Sequence, residues 1–173
     1  MDGLISVLAY KGIVKRLLYQ FKYPPYLSDL KTVLGALLYE GLIQQAAFIK
    51  FTENKNLVLV PVPLHASRLR KRGYNQAELL ANVLSQKLEV PVKNLLMRTK
   101  DSKPQYKLTK EERGKNISDA FAINRKFINF PKGRNAILVD DIATSGITMR
   151  ECAKVLKRNG IQKVLGITLA HEG

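Results

Sequence analysis

The stretch AILVDDIATSGIT, residues 136–148, decides the fold of this chain. It consists of an aliphatic run, two adjacent acids, and a loop of hydroxyl side chains with one glycine. The aliphatic run predicts a short buried strand over 136–139 that delivers Asp140 and Asp141 to its carboxyl end. Because open α/β sheets bind ligands at the carboxyl edge of their strands, we expect a ligand site at these two acids.

The acids and the loop after them offer groups for two parts of one ligand. Two adjacent carboxylates can accept hydrogen bonds from a vicinal diol, such as the 2′ and 3′ hydroxyls of ribose, or hold a hard cation through water. The loop adds backbone N–H groups, hydroxyls, and a glycine that permits close approach, all of which suit a phosphate. The candidate phosphate-binding residues are Ala143, Thr144, Ser145, Gly146 and Thr148.

A helix and a second strand follow this loop. Four apolar residues recur at helical spacing from Met149 to Leu156, Gly160 is placed to end the helix, and the apolar run 164–170 predicts a returning parallel strand. The positive end of the helix therefore points at the same anion. The chain has no GxGxxG motif after a strand and no lysine after the loop glycine, as a Walker loop requires. The pattern favours a nucleotide-sugar site; the alternative is a strand, an acidic turn and a capped helix that bind nothing.

The middle of the chain repeats this arrangement. Residues 57–60 predict a strand that ends in the stiff segment PVPLH, 61–65. An arginine-rich loop then leads into a predicted helix, which Asn75 with Glu78 three residues later would cap. Guanidinium groups at such a helix start suit a pyrophosphate. The candidate ligand contacts in this region are Pro63, Arg68 and Arg72.

Composition is typical of a single globular domain. The 173 residues are 46% hydrophobic and 25% charged, which suits one core. No apolar run approaches the roughly 20 residues of a membrane span and no secretory signal pattern opens the chain, so we expect a cytoplasmic protein. The single cysteine, Cys152, lies on the apolar face of the predicted helix. This favours a core residue over a nucleophile and excludes disulfides and a cysteine-based zinc site.

Net charge is the second clue to function. The chain has 29 Lys and Arg against 14 Asp and Glu, which gives a net charge of +15 and an isoelectric point near 10.0. Such an excess predicts an anionic partner. The basic residues concentrate at 68–72 and at 98–115, and both clusters flank the candidate phosphate sites. For the two clusters together we favour a polyphosphate or a nucleic-acid backbone over a merely solvated surface.

We expect residues 1–50 to form an N-terminal helical segment that packs on a core of residues 51–173 within the same domain. Apolar residues recur at helical spacing from Ile13 to Phe21, a proline pair breaks the chain, and a second apolar helix follows over about 29–49. These helices fall outside the two strand–helix units described above.

The 136–148 stretch resembles the phosphoribosyl pyrophosphate (PRPP) signature of type I phosphoribosyltransferases. The chain as a whole resembles the ComF family of competence proteins, the ComFC and GntX group, within that superfamily. The elements that carry the resemblance span nearly the whole chain in the order of the family. They are Tyr10, Gly12, Phe21-Lys22-Tyr23, PVPLH at 61–65, RGYNQ at 72–76, Gln105 with Leu108, Arg113 with Asn116, Ala120-Phe121 and VDDIATSG at 139–146.

The resemblance implies an α/β protein with the type I phosphoribosyltransferase fold, in which helices flank a central, mainly parallel sheet. It implies that the N-terminal helical segment forms part of a hood over the acceptor, with plain core packing as the alternative. In this segment we consider Lys22 and Tyr23 for ligand contact. Family members usually carry an N-terminal four-cysteine zinc ribbon before the Tyr-x-Gly segment. This chain has no cysteine before Cys152, so we expect no zinc.

The resemblance also implies the function and the roles of site residues. The expected function is PRPP binding in natural transformation, in the uptake and handling of single-stranded DNA, with a homodimer as a candidate assembly. Asp140, Asp141 and Arg72 are the predicted catalytic residues, and the two acids would hold Mg²⁺ through water. The predicted PRPP contacts are Asp140, Asp141, Ala143, Thr144, Ser145, Gly146, Thr148, Pro63, Arg68, Arg72, Gln105 and Arg113.

The basic segment 98–118 corresponds to the loop that closes over PRPP in the related enzymes. Closure would keep water from an oxocarbenium-like transition state. Gln105, Tyr106, Arg113 and Asn116 are the candidate contacts there, and a solvated connection without a role is the alternative.

Two other functions stay open. The first is an active phosphoribosyltransferase that displaces pyrophosphate from ribose C1 with a nitrogen nucleophile, although His65 and His171 are weak candidates for its general base. The second is a single-stranded DNA-binding protein that uses the fold as a scaffold. Against it, the 7 Tyr and 6 Phe residues show no interleaving with basic residues of the kind that a stacking platform needs.

Overall fold

The fold is built on a parallel sheet of four strands in the part of the chain that the computed structural model describes, residues 1–100 and 119–172. The strands are β1 (Gly3–Ala9), β2 (Leu57–Pro61), β5 (Asn135–Ala143) and β6 (Val164–His171), in the spatial order β1-β6-β5-β2. Two shorter strands, β3 (Leu96–Arg98) and β4 (Phe121–Ile123), form a separate antiparallel pair. The helices are α1 (Gly12–Lys22), α2 (Leu30–Leu42), α3 (Ala46–Thr52), α4 (Ala66–Arg72), α5 (Gln76–Leu88) and α6 (Ile147–Arg158), with a 3₁₀ turn at Arg125–Phe127.

Side chains that alternate along β5 enter two different cores, because successive residues of a strand point to opposite faces. Ile137 and Val139 pack in the larger core with the apolar faces of α1, α2, α3 and α5. Ala136 and Leu138 pack in the second core with α6. Helices therefore cover both faces of the sheet, which explains why its central strands are apolar without alternation. The predicted central parallel sheet flanked by helices is confirmed.

The N-terminal 50 residues are not wholly helical, contrary to the prediction. They begin with β1, which pairs in parallel with β6 from Gly3 opposite Leu165 to Ala9 opposite His171. Both faces of this strand are covered, with Ile5 against the larger core and Leu4 against the second. A strand covered on both faces has no polar alternation to reveal it in the sequence.

Two helix predictions also need correction. The single helix expected over about 29–49 is two helices, α2 and α3, because Gln45 adopts an extended conformation between them (φ −97°, ψ 110°). The loop expected between β2 and α5 contains α4. The α4 sequence, ASRLRKR, buries no residue fully, so no apolar stripe could predict this helix.

Within the described ranges, no single helix is long and apolar enough to cross a membrane. The pair α2 and α3 reaches the required length and composition together, but the two helices are bent by 95°.

Gly41 allows α2 to approach β1 closely. A Cβ built at Gly41 would overlap Val7 Cγ1 on β1. We predict that Gly41→Ala lowers the free energy of unfolding by about 1–2 kcal/mol. Overpacking costs roughly 1–3 kcal/mol, and the roughly 1 kcal/mol of helix propensity that Ala gains over Gly offsets only part of it. Urea denaturation of the purified variant measures the change.

The control is the double variant Gly41→Ala/Val7→Ala, which removes the two obstructing methyl groups. It should be less destabilised than the sum of the two single variants, because the substitutions share one contact. Strict additivity would show that the close approach of α2 to β1 is not the cause.

Candidate functional site

A cavity of about 520 Å³ opens at the carboxyl edge of the parallel sheet. Its walls come from the ends of β2 and β5, the loop after β5, helix α4, and the C-terminal end of α1 with the residues that follow. Every predicted ligand residue that the structure describes lines this cavity, except Ser145. Gln105, Tyr106, Arg113 and Asn116 lie outside the described residues.

The loop between β5 and α6 presents a helix N terminus to the cavity. Gly146 is the N-cap of α6 and has φ 67°, in the left-handed region that favours glycine, and it makes no side-chain cap hydrogen bond. The first N–H groups of a helix have no intrahelical acceptor. Ala143, Thr144 and Thr148 line the cavity around this helix start. The loop thus combines backbone donors and a positive helix end, as a phosphate requires.

Ser145 lies in the same loop but faces inward. Its Oγ is buried and has no hydrogen-bond partner among the described residues. Its carbonyl oxygen accepts a hydrogen bond of 2.6 Å from Nη2 of Arg150, which fixes the loop to the first turns of α6. A buried hydroxyl without a partner is uncommon in proteins.

Asp140 and Asp141 lie within β5 and not after it, because the strand continues to Ala143. On one side β2 ends opposite Val139, so both acids project beyond that neighbour. On the other side the pairing with β6 continues past them to Ala143 opposite His171. Both acids line the cavity, but as adjacent strand residues they have different surroundings.

Asp141 is paired with a cation from the N-terminal helix. It is 1% exposed, and its Oδ1 lies 2.9 Å from Nζ of Lys22, the last residue of α1. Its Oδ2 is buried and has no partner among the described residues. Asp140 accepts a hydrogen bond of 2.9 Å at Oδ1 from the backbone N–H of Asp141. The ion pair therefore neutralises one carboxylate of the two.

Burial and neighbouring charges shift the pKa values of Asp140 and Lys22. Burial, and next the negative charge of Asp141, raise the pKa of Asp140 from 3.8 to about 8, while Lys22 opposes the rise. Burial lowers the pKa of Lys22, but the carboxylates of Asp141 and Asp140 outweigh it and raise that pKa overall. The raised pKa therefore favours the protonated form of Asp140 at neutral pH in the ligand-free site.

Helix α4 brings basic side chains to the cavity. Arg68, Lys71 and Arg72 line it, and Arg72 donates a hydrogen bond from Nη1 to Oε1 of Gln76 at the start of α5. His65 caps α4, because its Nδ1 accepts the backbone N–H of Ser67 at 3.3 Å. The predicted basic cluster therefore sits on a short helix whose position is fixed at both ends.

The predicted cap of α5 is present and holds this helix to the sheet. The side chain of Asn75 accepts the backbone N–H of Ala77 at 3.1 Å and donates to the carbonyl of Val62, just after β2, at 3.0 Å. Glu78 accepts a hydrogen bond from Asn94 instead of returning to the cap. Pro63 lines the cavity next to this anchor.

Several cavity residues were not assigned from the sequence. Tyr10, Tyr26, Arg98 and Glu172 line the cavity. The backbone N–H of Glu172 donates to the carbonyl of Ala143 at 2.9 Å, which places Glu172 beside the phosphate loop. Glu172 directly follows the last strand. Because the carboxyl ends of parallel strands meet at one edge of the sheet, this position could have predicted that Glu172 lies at the cavity.

Cys152 is a core residue, as predicted. It is fully buried on α6, and burial raises the pKa of its thiol well above the usual value. A thiol in this state is a poor nucleophile.

Comparison with known proteins assigns the chain to a family. Residues 37–173 match the family of phosphoribosyl transferase domains. Competence protein F of Haemophilus influenzae is 38% identical over 107 residues, which are 61% of this chain and 46% of that protein. The DNA utilization protein YhgH of Escherichia coli is 30% identical over 164 residues, 93% of this chain and 68% of that protein. Competence protein ComFC of Bacillus subtilis is 33% identical over 155 residues, 90% of this chain and 58% of that protein.

A matching domain over most of the chain, together with the cavity at the sheet edge, defines the class as a protein with a phosphoribosyltransferase domain. Within that class the chain belongs to the ComF family, as its motifs predicted. The chain spans 46% of the Haemophilus protein, 68% of the Escherichia coli protein and 58% of the Bacillus protein.

We predict that the ligand-free protein loses stability as the pH rises from about 5 to about 8. Over this range Asp140 holds a proton in the folded state but not in the unfolded chain, because its pKa is raised to about 8 by folding. The folded state then binds more protons, so the free energy of unfolding falls with pH, by at most about 1.4 kcal/mol per pH unit. Asp140→Asn should give a flatter profile and a higher stability at pH 8, measured by urea denaturation with EDTA.

The matched control is Asp29→Asn, which removes an exposed carboxyl from the start of α2. Its stability should follow the wild-type pH profile. Equal slopes for wild type and Asp140→Asn would contradict the raised pKa.

Proposed function

We propose that this protein binds PRPP in the cavity at the carboxyl edge of the sheet. One observation carries the proposal: a single cavity holds a helix N terminus that begins at a glycine, a pair of acids, and three basic side chains of α4. PRPP presents a phosphate at C5, a diol at C2 and C3, and a pyrophosphate at C1. Each group of the ligand therefore has a complementary group in the cavity.

The β5–α6 loop would bind the 5′-phosphate. Its backbone N–H groups from Thr144 to Thr148 and the positive end of α6 supply donors and charge. The hydroxyls of Thr144 and Thr148 lie at the cavity wall. Ser145 does not line the cavity and its Oγ is buried, so a contact from this hydroxyl to the phosphate would require its side chain to turn toward the ligand.

Asp140 and Asp141 would bind the ribose diol. Among residues 1–100 and 119–172, Oδ2 of Asp141 has no hydrogen-bond partner, and a ribose hydroxyl would satisfy this acceptor. Lys22 holds the other oxygen of this carboxylate and so fixes its orientation. Arg68, Lys71 and Arg72 would bind the pyrophosphate, for which guanidinium groups offer bidentate hydrogen bonds.

The two acids also fit a magnesium ion that arrives with the ligand. Among the described residues no group of three or more His, Cys, Asp or Glu side chains is placed to hold a metal ion. Mg²⁺ is usually held by one or two carboxylates together with substrate phosphates and water, which Asp140 and Asp141 could provide. When bound there, the ion would supply charge neutralisation for the pyrophosphate.

We place this PRPP-binding protein in natural transformation, in the handling of single-stranded DNA in the cytoplasm. Support comes from relatives named competence proteins and DNA utilization proteins. The net charge of +15 supports an anionic partner. The homodimer in this proposal rests on the family resemblance alone.

Catalysis is the second candidate function, and two further features of the cavity lining favour it. Tyr10, Tyr23 and Tyr26 line the cavity on the α1 side, and aromatic rings suit a planar nitrogen base. Glu172 supplies a carboxylate to the cavity besides the two acids of β5, and it could act as the general base that the histidines do not provide. Nitrogen attack at ribose C1 would then release pyrophosphate, with Arg72 stabilising its charge.

We predict that PRPP with Mg²⁺ binds the wild-type protein in a calorimetric titration and that Asp140→Asn/Asp141→Asn weakens binding at least tenfold. Each hydrogen bond to a charged group contributes about 1.5–3 kcal/mol, so losing one is enough for about a tenfold effect. With EDTA in place of Mg²⁺ the difference between the two proteins should shrink, because the acids act in part through the metal.

The control is Asp29→Asn/Glu53→Gln, which removes two exposed carboxyls from α2 and the end of α3. It should bind PRPP as the wild type does. A wild-type protein that shows no heat of binding would refute the proposal, and equal weakening in the control would reduce the effect to net charge.

For the catalytic candidate, we predict that an acceptor from a panel of nitrogen bases releases pyrophosphate from PRPP. Glu172→Gln should lower kcat about 100-fold or more, because a general base contributes about 10²–10⁴-fold, and should leave PRPP affinity nearly unchanged. Coupled pyrophosphate detection measures kcat, and calorimetry measures the affinity. No release across the panel would leave the protein as a PRPP-binding module.

A further inference from the structure

Residues 10–28 combine aromatic and basic side chains without an acid. This segment, YKGIVKRLLYQFKYPPYLS, contains 4 of the 7 tyrosines of the chain, 4 basic residues, and no Asp or Glu. Aromatic and basic residues therefore interleave in this segment, contrary to the prediction. This interleaving escapes notice in the linear sequence because its members are separated by the apolar residues that face the core.

Helix α1 sorts these residues onto two faces. Leu18 and Phe21 are fully buried and provide the packing of the helix on the larger core. Lys15, Arg16 and Tyr19 are exposed on the opposite face. Tyr19 is 56% exposed although the fold offers an apolar core only a turn away.

The exposed tyrosines form a continuous aromatic surface. The rings of Tyr19 and Tyr23 lie 4.8 Å apart between centroids and are inclined by 30°. Tyr23 is 41% exposed and also lines the cavity, so the pair runs from the free face of α1 to the cavity mouth. At the other end of the helix, Nζ of Lys15 lies 5.8 Å from the ring centroid of Tyr10, a second cavity residue.

We propose that the exposed face of α1, defined by Lys15, Arg16, Tyr19 and Tyr23, binds single-stranded DNA. Unpaired bases stack on the two rings, which accept any base because every base has a π face. Lys15 and Arg16 neutralise the adjacent phosphates. The helix is about 16 Å long, so the site holds a few nucleotides and leads the strand toward the cavity.

Charge selects this occupant over an apolar protein partner. A face with two cations and no acid repels basic partners and attracts a polyanion, and the exposed rings add contact that a duplex with stacked bases cannot use. The choice of DNA over RNA rests on the proposed function. Of the four residues only Tyr23 lines the cavity, so substitutions at Tyr19, Lys15 and Arg16 test DNA binding separately from PRPP binding.

The test is fluorescence anisotropy with a labelled oligothymidylate and the full chain. Tyr19→Ala should weaken binding at least about fivefold, the lower limit for one base–aromatic stack, while Tyr19→Phe should retain wild-type affinity. Arg16→Gln should reduce the slope of log K against log salt by about 0.7, the value for one phosphate contact on a single strand. A duplex of the same length should bind more weakly than the single strand.

Matched controls separate this site from diffuse charge and from the PRPP site. Arg125→Gln removes the same charge from another exposed position, in the 3₁₀ turn, and should leave the affinity and the salt slope closer to wild type than Arg16→Gln does. Tyr19→Ala should still bind PRPP with wild-type heat. If neither the wild type nor any of these variants binds PRPP, the proposed function is refuted, but the inference about DNA binding is unaffected.

Three results would overturn the inference. They are wild-type affinity in Tyr19→Ala, equal binding of duplex and single strand, and equal salt slopes for Arg16→Gln and Arg125→Gln. Tighter binding of oligouridylate than of oligothymidylate would overturn the choice of DNA.

Discussion

A carboxylate buried at the end of the central strand needs a cation, and this requirement ties the N-terminal helix to the sheet. Asp141 is 1% exposed, and an unpaired charge in such a place would cost several kcal/mol. The cation is Lys22, which ends α1. The carbonyl of Phe21, one residue earlier, accepts a hydrogen bond of 2.7 Å from the Tyr74 hydroxyl, in the segment between α4 and α5. The end of α1, the acids of β5 and the start of α5 are therefore fixed relative to one another, and α1 is part of the site.

The parts of the molecule that the sequence predicts are those whose signal is local. The β5–α6 unit is continuous in the sequence, from Asn135 to Arg158, and α5 and α6 each bury one apolar stripe. The parts it does not predict depend on distant contacts or have no stripe. Strand β1 is covered on both faces, and α4 buries no residue fully. No periodicity relates Lys22 to Asp141, which meet only because α1 packs against the odd-numbered face of β5.

Strand geometry gives the two adjacent acids different chemistry. Asp141 pairs with Lys22, whereas burial and next the negative charge of Asp141 raise the pKa of Asp140 to about 8. Two acids that look equivalent in the sequence are thus distinct in the fold. A ligand that brings a divalent cation would add positive charge beside Asp140 and favour its ionised form. Ligand binding and proton release at this site would then be thermodynamically linked.

The C-terminal end of α1 lines the cavity, and one face of the helix is exposed to solvent. Different residues of the helix account for these two features. Leu18 and Phe21 account for its packing, and Lys22 for its link to the acids. Neither task requires Tyr19 or Arg16, which contribute exposed surface and no core contact. Scattered exposed apolar residues are ordinary on protein surfaces. A pair of rings that continues into the cavity wall, on a helix without an acid, is a more specific arrangement. Its aromatic and basic groups suit a single-stranded nucleic acid better than they suit plain exposure to solvent.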